Sequence, residues 1–175
     1  MVKDLLIITS ARSGSHFYGK ICEGQNTTLK YTGELLEISD FNGIASIVQP
    51  RLKYRLLTSQ KHILENKSIH ILRRRNKVEQ FRSWILFDLT GKHNGAVYDQ
   101  TMPSITISQG QLDQFIAEQI LDYSFVSDKI VYYEDLLETY EVTSLKKNIY
   151  NIDMRTFVTN WDDVEYELGL FNYNE

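Results

Sequence analysis

An apolar run, Leu5-Leu6-Ile7-Ile8, passes through Thr9-Ser10 into a turn of small polar residues, Ala11-Arg12-Ser13-Gly14-Ser15. The chain then enters a helical pattern from His16 to Cys22. A buried strand, a short polar loop with one cation and a helix in direct succession is the layout of a phosphate cradle. Backbone N–H groups of such a loop converge on an anion, and the helix dipole adds partial positive charge. Gly14 permits close backbone approach. Ser13 and Ser15 bring hydroxyl donors, and Arg12 brings a fixed charge with forked donors. The loop lacks the G-x-x-x-x-G-K-[ST] spacing of a Walker A site, which speaks against an ordinary ATP or GTP site. The same layout also serves as a plain strand–turn–helix connection whose serines cap the helix.

A second stretch repeats the logic. Ile69 to Leu72 reads as a buried strand and ends in Arg73-Arg74-Arg75. Asn76 is an N-cap residue, and Glu79 stands where a capping box needs its acid. Val78, Phe81, Ile85 and Leu89 recur at helical spacing and form a buried stripe. Ser83 lies off that stripe, eight residues after Arg75. A strand-end arginine and a serine two turns into the next helix can converge on one anion, at the edge where open α/β sheets bind ligands. A solvated basic turn is the alternative.

Taken together, the two stretches resemble the sulfotransferases that use 3′-phosphoadenosine 5′-phosphosulfate (PAPS), in the bacterial carbohydrate type. The segment Ser10-Ala11-Arg12-Ser13-Gly14-Ser15 is similar to that family's 5′-phosphosulfate loop, with arginine where cytosolic animal enzymes carry lysine. Arg75 with Ser83 resembles its 3′-phosphate pair, and among the three arginines spacing favours Arg75. Gly33-Glu34 resembles the Gly-Glu after the second strand, whose glutamate is the family's proposed base. Val131-Tyr132-Tyr133-Glu134-Asp135-Leu136 and Asn160-Trp161-Asp162-Asp163-Val164 resemble two later family segments. The likenesses follow the family's order and span nearly the whole chain. His16 stands where many members have threonine, and Lys77 replaces a common proline.

The resemblance implies an α/β fold, a three-layer sandwich with a mostly parallel sheet flanked by helices, P-loop nucleotide-kinase-like. It implies a sulfotransferase whose co-substrate is PAPS, without a metal. Ala11 to His16 would hold the phosphosulfate, Arg12 would neutralise charge on the bridging oxygen, and Arg75 and Ser83 would hold the 3′-phosphate. Glu34 would take the acceptor's proton, with His93 as a second base candidate. Arg155, Lys146 and Lys147 are candidates for a C-terminal clamp on the 3′-phosphate. The acceptor is a carbohydrate or small molecule, with peptide tyrosine also open. A non-catalytic nucleotide-binding protein and a divergent small-molecule kinase are the alternatives, and the latter would need a Walker lysine and magnesium carboxylates.

At 175 residues the chain can bury a core as one domain spanning 1–175 without disulfides. Its single Cys22 reads as a core residue. A net charge of −4 argues against nucleic-acid binding but not against a local anion site. No apolar stretch approaches the ~18 residues of a membrane span, and no signal-peptide pattern appears, so a cytoplasmic location is expected. A homo-oligomer remains open.

The rest of the chain alternates between the two periods. Leu29 to Thr32 is expected as a second strand, Phe41 to Val48 as a helix capped by Ser39-Asp40, and Arg51 to Glu65 as a helix opened by Pro50. The stretch 91–108 is expected to be irregular. Helices are expected over Gln111 to Tyr123, Glu134 to Tyr140 and after Asn160, with a strand over Lys129 to Tyr133. Strands alternating with helices imply a mostly parallel sheet.

Overall fold

The computed structural model describes residues 3–37, 41–90, 103–140 and 153–173. Four apolar or mixed runs pair around the first strand. The strands are β1 (Leu5–Thr9), β2 (Tyr31–Glu34), β3 (Ile44–Ile47), β4 (Ser68–Arg73) and β5 (Lys129–Tyr132), in the spatial order β2-β3-β1-β4-β5. Every pairing is parallel. A parallel sheet requires crossovers, and helices supply them: α1 (Ser15–Gln25), α2 (Pro50–Leu57), α3 (Lys77–Thr90) and α4 (Gln109–Asp122), with α5 (Tyr133–Thr139) and α6 (Trp161–Tyr173) following.

Alternation along β1 divides the core. Leu5 and Ile7 face a cluster with Tyr18 and Cys22 of α1 and Leu136 of α5. Leu6 and Ile8 face the opposite cluster, with Leu52 and Leu56 of α2. Both faces of the sheet are therefore covered, as a parallel sheet with continuous apolar strands needs. A third cluster joins α3, α4 and α6 through Phe81, Phe115, Trp161 and Leu168. Cys22 is buried and unpaired with any other cysteine, as its place in the helix pattern suggested.

The helix expected over Phe41 to Val48 is a strand instead. Ile44 to Ile47 are all buried and lie between β1 and β2. Four apolar residues carry too little periodicity to separate strand from helix, and the open slot beside β1 decides. Gly43 sets the entry: its φ is +107°, its N–H donates to Asp4 Oδ1 at 2.8 Å, and a Cβ there would meet the Lys30 carbonyl oxygen at 2.5 Å. The proposed cap at Ser39-Asp40 lies outside the described residues. The helix expected over Arg51 to Glu65 ends at Leu57. Thr58 leaves helical geometry, a short 3-10 turn covers Lys61–Leu64, and Ile63 and Leu64 pack on the same face as Leu52.

Elsewhere boundaries move by one to three residues, which is ordinary for helix and strand ends. The expected N-cap at Asn76 forms, with Glu79 N–H donating to Asn76 Oδ1 at 3.0 Å. The reciprocal half of the capping box comes from elsewhere: Asn76 N–H donates to Glu134 Oε1 at 3.2 Å, while Glu79 pairs with Arg82. Among the described residues no helix is long and apolar enough to cross a membrane.

Candidate functional site

Because all five strands are parallel, their carboxyl ends share one edge, and that edge carries the polar segments. Thr9 leads into the loop 10–14, Arg73 into Arg74 and Arg75, β2 ends on Glu34, and β5 leads into Tyr133. A cavity of about 630 Å³ opens there. Its lining includes Ala11, Arg12, Gly14, Ser15 and His16 from the loop and the start of α1. Glu34 borders it from β2, and Arg74 and Tyr133 border it from the ends of β4 and β5. The lining from α3 includes Glu79, Arg82, Ser83, Trp84 and Phe87. The basic side chains Arg12, Lys20, Arg74 and Arg82 outnumber the carboxylates Glu34 and Glu79, so the cavity favours an anion.

The loop holds an unusual backbone. Arg12 has φ +64° and Gly14 has φ +89°. A β-carbon at Gly14 would stand 2.5 Å from the Tyr133 ring, so both conformation and space call for glycine. Gly14 is the N-cap of α1, with no side chain capping the first turn. First-turn N–H groups of an 11-residue helix thus begin beside the cavity.

Side chains hold the loop from several directions. Thr9 Oγ1 donates to the Leu72 carbonyl at 2.9 Å. Ser10 Oγ donates to Asp122 Oδ2 at 2.6 Å, and Asp122 in turn pairs with the buried Lys53 at 2.5 Å. Beside this network, burial pushes the Glu118 carboxyl above its ordinary pKa. Gln80 Nε2 donates to the Ala11 carbonyl and to Ser13 Oγ, each at 2.8 Å. Arg12 Nε donates to Ser83 Oγ at 3.0 Å, and its guanidinium lies 5.4 Å from the centre of the Phe87 ring.

The expected site residues divide as follows. Arg12 and Ser83 meet directly, although they are 71 residues apart in sequence. Ser15 Oγ donates to Glu34 Oε1 at 3.0 Å, so the loop and the candidate base are in contact. His16 lines the cavity and packs edge-on against Tyr31, whose phenol is pushed up first by burial and further by the charge of Glu34. Ser13 differs from the expectation: it is buried, its hydroxyl accepts from Gln80, and it does not border the cavity.

Two basic residues expected at the site do not border the cavity. Arg75 is not on the cavity. Its guanidinium forms a two-point pair with Asp135, where both side chains are half exposed, and lies 4.1 Å from the centre of the Tyr132 ring. That pair raises the Arg75 pKa and lowers that of Asp135. The spacing to Ser83 is compatible with convergence, but it does not state which way a strand-end side chain points. Arg74, buried and 4.7 Å from the centre of the Tyr133 ring, is the arginine of the triplet that shares the cavity with Ser83. Arg155 is likewise not among the lining residues: it pairs with Asp162 at 2.7 Å and Glu165 at 2.5 Å on the surface. His93, Lys146 and Lys147 lie outside the described residues.

Sequence reading named Arg74 only as one of three arginines and did not single out Arg82 or Gln80. The alternation of side chains at a strand end was the available signal for Arg74, since neighbours along a strand point to opposite sides. Arg73 and Arg74 do diverge, with Arg73 3.5 Å from the centre of the Tyr123 ring. Gln80 gave no signal, because it lies on the side of α3 away from the apolar stripe of Val78, Phe81, Ile85 and Leu89, which periodicity reads as solvated.

Among the described residues no three His, Cys, Asp or Glu side chains are grouped to hold a metal ion. Comparison of the chain with family models, with curated proteins and with solved structures finds no match to any of them.

Proposed function

We infer that the chain is a sulfotransferase that uses PAPS and sulfonates an acceptor hydroxyl, on a P-loop-like variant of the observed α/β fold. The observation that carries this reading is the joining of Arg12, Ser83, Arg74 and Glu34 on one cavity at the carboxyl edge of the sheet. Cationic donors contributed by the loop, the end of β4 and α3 suit a nucleotide bearing two separated phosphate groups. The Glu34 carboxylate on the same cavity suits proton removal.

The donor supplies the sulfonyl group, and adenosine 3′,5′-bisphosphate is the leaving product. In this reading the loop from Ala11 to Ser15 orients the phosphosulfate through its backbone N–H groups. Arg12, fixed by Ser83, offsets negative charge on the bridging oxygen as the bond from sulfur to that oxygen breaks. Ser83 and Arg74 hold the 3′-phosphate. Glu34 takes the proton from the acceptor hydroxyl as its oxygen bonds to sulfur, and Ser15 orients the carboxylate. The acceptor is a carbohydrate or small alcohol that enters beside Glu34. His93 stays a second base candidate.

Thermal shift with adenosine 3′,5′-bisphosphate, ADP and ATP tests the binding half. A ligand at a hundred times its Kd stabilises by about 2.7 kcal/mol, so preference for the bisphosphate is readable as a higher midpoint. Turnover of PAPS with a panel of acceptor alcohols tests the rest. Equal response to all three nucleotides, or none, removes the reading.

A further inference from the structure

We propose that Gln80 is a positioning residue that keeps the Ala11 carbonyl turned away from the anion seat and thereby sets the backbone of the loop for binding. The inference rests on the reading of this loop as an anion site, though not on the identity of the nucleotide.

Gln80 is completely buried in the first turns of α3. A side-chain amide has two N–H donors, and both are used on the loop, one on the Ala11 carbonyl and one on Ser13 Oγ. The orientation of the amide follows from Ala11, because a carbonyl oxygen can only accept. Gln80 Oε1 is then left buried with no hydrogen-bond partner among the described residues. A buried acceptor without a donor is costly, and an apolar residue of similar length would avoid that cost. The amide keeps it while giving both of its donors to one loop.

Those two bonds control a peptide plane. In a trans peptide the C=O and the following N–H point in opposite directions. Drawing the Ala11 carbonyl toward Gln80 therefore turns the Arg12 N–H away from the interior, where Ala11 and Arg12 border the cavity. The same peptide contributes to the φ of Arg12, which is +64°. A half turn of the plane would bring that φ into the ordinary negative range, which an arginine prefers. It would also exchange an N–H for a carbonyl on the outward side, and a carbonyl repels an anion. Local backbone preference thus favours the wrong face, and Gln80 opposes it.

Inorganic sulfate is the probe, used with adenosine 3′,5′-bisphosphate. Gln80→Met keeps length and removes both donors, and Gln80→Glu keeps shape and places an acceptor against the carbonyl. Both are expected to bind sulfate about tenfold more weakly or worse than the unaltered chain, at a temperature well below their own unfolding midpoints. Turnover of PAPS should show a loss in kcat as well as a rise in KM. A lowered midpoint with unchanged sulfate affinity would make Gln80 a packing residue and overturn the proposal. If neither variant folds, the unaltered chain decides by NMR. The Gln80 side-chain amide protons should exchange slowly with solvent and more slowly with sulfate, and exchange unaffected by sulfate overturns the proposal. Sulfate binding without selectivity for the bisphosphate would sink the sulfotransferase reading and leave the role of Gln80 standing. Absence of sulfate binding would remove both.

Discussion

Glu34 ends an edge strand with its carboxylate on a loop serine, and in the proposed reaction the first would accept the proton while the second orients the carboxylate. Ser15 Oγ donates to Glu34 Oε1 at 3.0 Å, which leaves the other carboxylate oxygen for a substrate. Glu34→Gln retains an acceptor for Ser15 but cannot take up a proton. It should lower kcat by about 10²–10⁴ while bisphosphate affinity stays near that of the unaltered chain. Steady-state rates together with equilibrium titration separate the two quantities. Full activity in this variant would move the role to His93 or to the acceptor itself. Gly14 poses a different constraint. Alanine there meets the Tyr133 ring at 2.5 Å and must hold φ near +89°, so Gly14→Ala should cost about 1–2 kcal/mol from conformation alone, and more from the displaced ring. Sulfate affinity should fall with it, since the helix start and the loop move together. A Gly14→Ala chain with unaltered unfolding midpoint and sulfate affinity would show that the ring and loop yield without consequence.

At the scale of elements, the end of β4 shows how three adjacent like residues acquire different surroundings. Arg73 turns to Tyr123, Arg74 to Tyr133 and the cavity, and Arg75 to Tyr132 and Asp135. The start of α5 completes the arrangement, with Glu134 accepting the N–H groups of Arg75 and Asn76. The Tyr-Glu-Asp segment thereby ties two strand ends together. Arg74→Ala should weaken adenosine 3′,5′-bisphosphate by about 2 kcal/mol and adenosine 5′-phosphate by much less, as a charged hydrogen-bonded anchor for the additional phosphate would. Arg75→Ala should leave that preference in place, because an exposed ion pair contributes little. Calorimetric titration of the two nucleotides against both variants decides, and the opposite ranking would restore the assignment that spacing favoured. The loop between β1 and α1, the strands before and after it and the N-cap at Asn76 were legible because each combines composition with a local rule. The direction of Arg75 was not, because it depends on Asp135, which lies 60 residues away. The strand Ile44–Ile47 was misread for a related reason: its identity comes from its neighbours, not from its own four residues.

Across the whole molecule, the site depends on a charge pair that no local pattern announced. Lys53 of α2 is fully buried and Asp122, the last residue of α4, nearly so; their atoms approach to 2.5 Å. Asp122 also accepts from Ser10, and Ser10 donates to the Glu118 carbonyl at 3.1 Å. One carboxylate thus joins α2, α4 and the first residue of the loop 10–14, on the face of the sheet opposite α1. The sequence does not single out Lys53, since lysines are rarely buried unless paired and its partner is 69 residues distant. Such pairs contribute little net stability when intact, because desolvation offsets attraction, yet losing one partner strands a charge. Asp122→Ala should therefore destabilise by about 3–5 kcal/mol. The double variant Lys53→Met with Asp122→Leu removes both charges and should recover most of that loss, as read by urea unfolding midpoints. Its sulfate affinity should remain below that of the unaltered chain, because Ser10 has still lost its carboxylate acceptor and keeps only the Glu118 carbonyl. If the double variant unfolds as readily as Asp122→Ala, the loss belongs to the bond from Ser10 rather than to the stranded lysine. If it recovers stability and sulfate binding together, the loop does not depend on Asp122 for its shape.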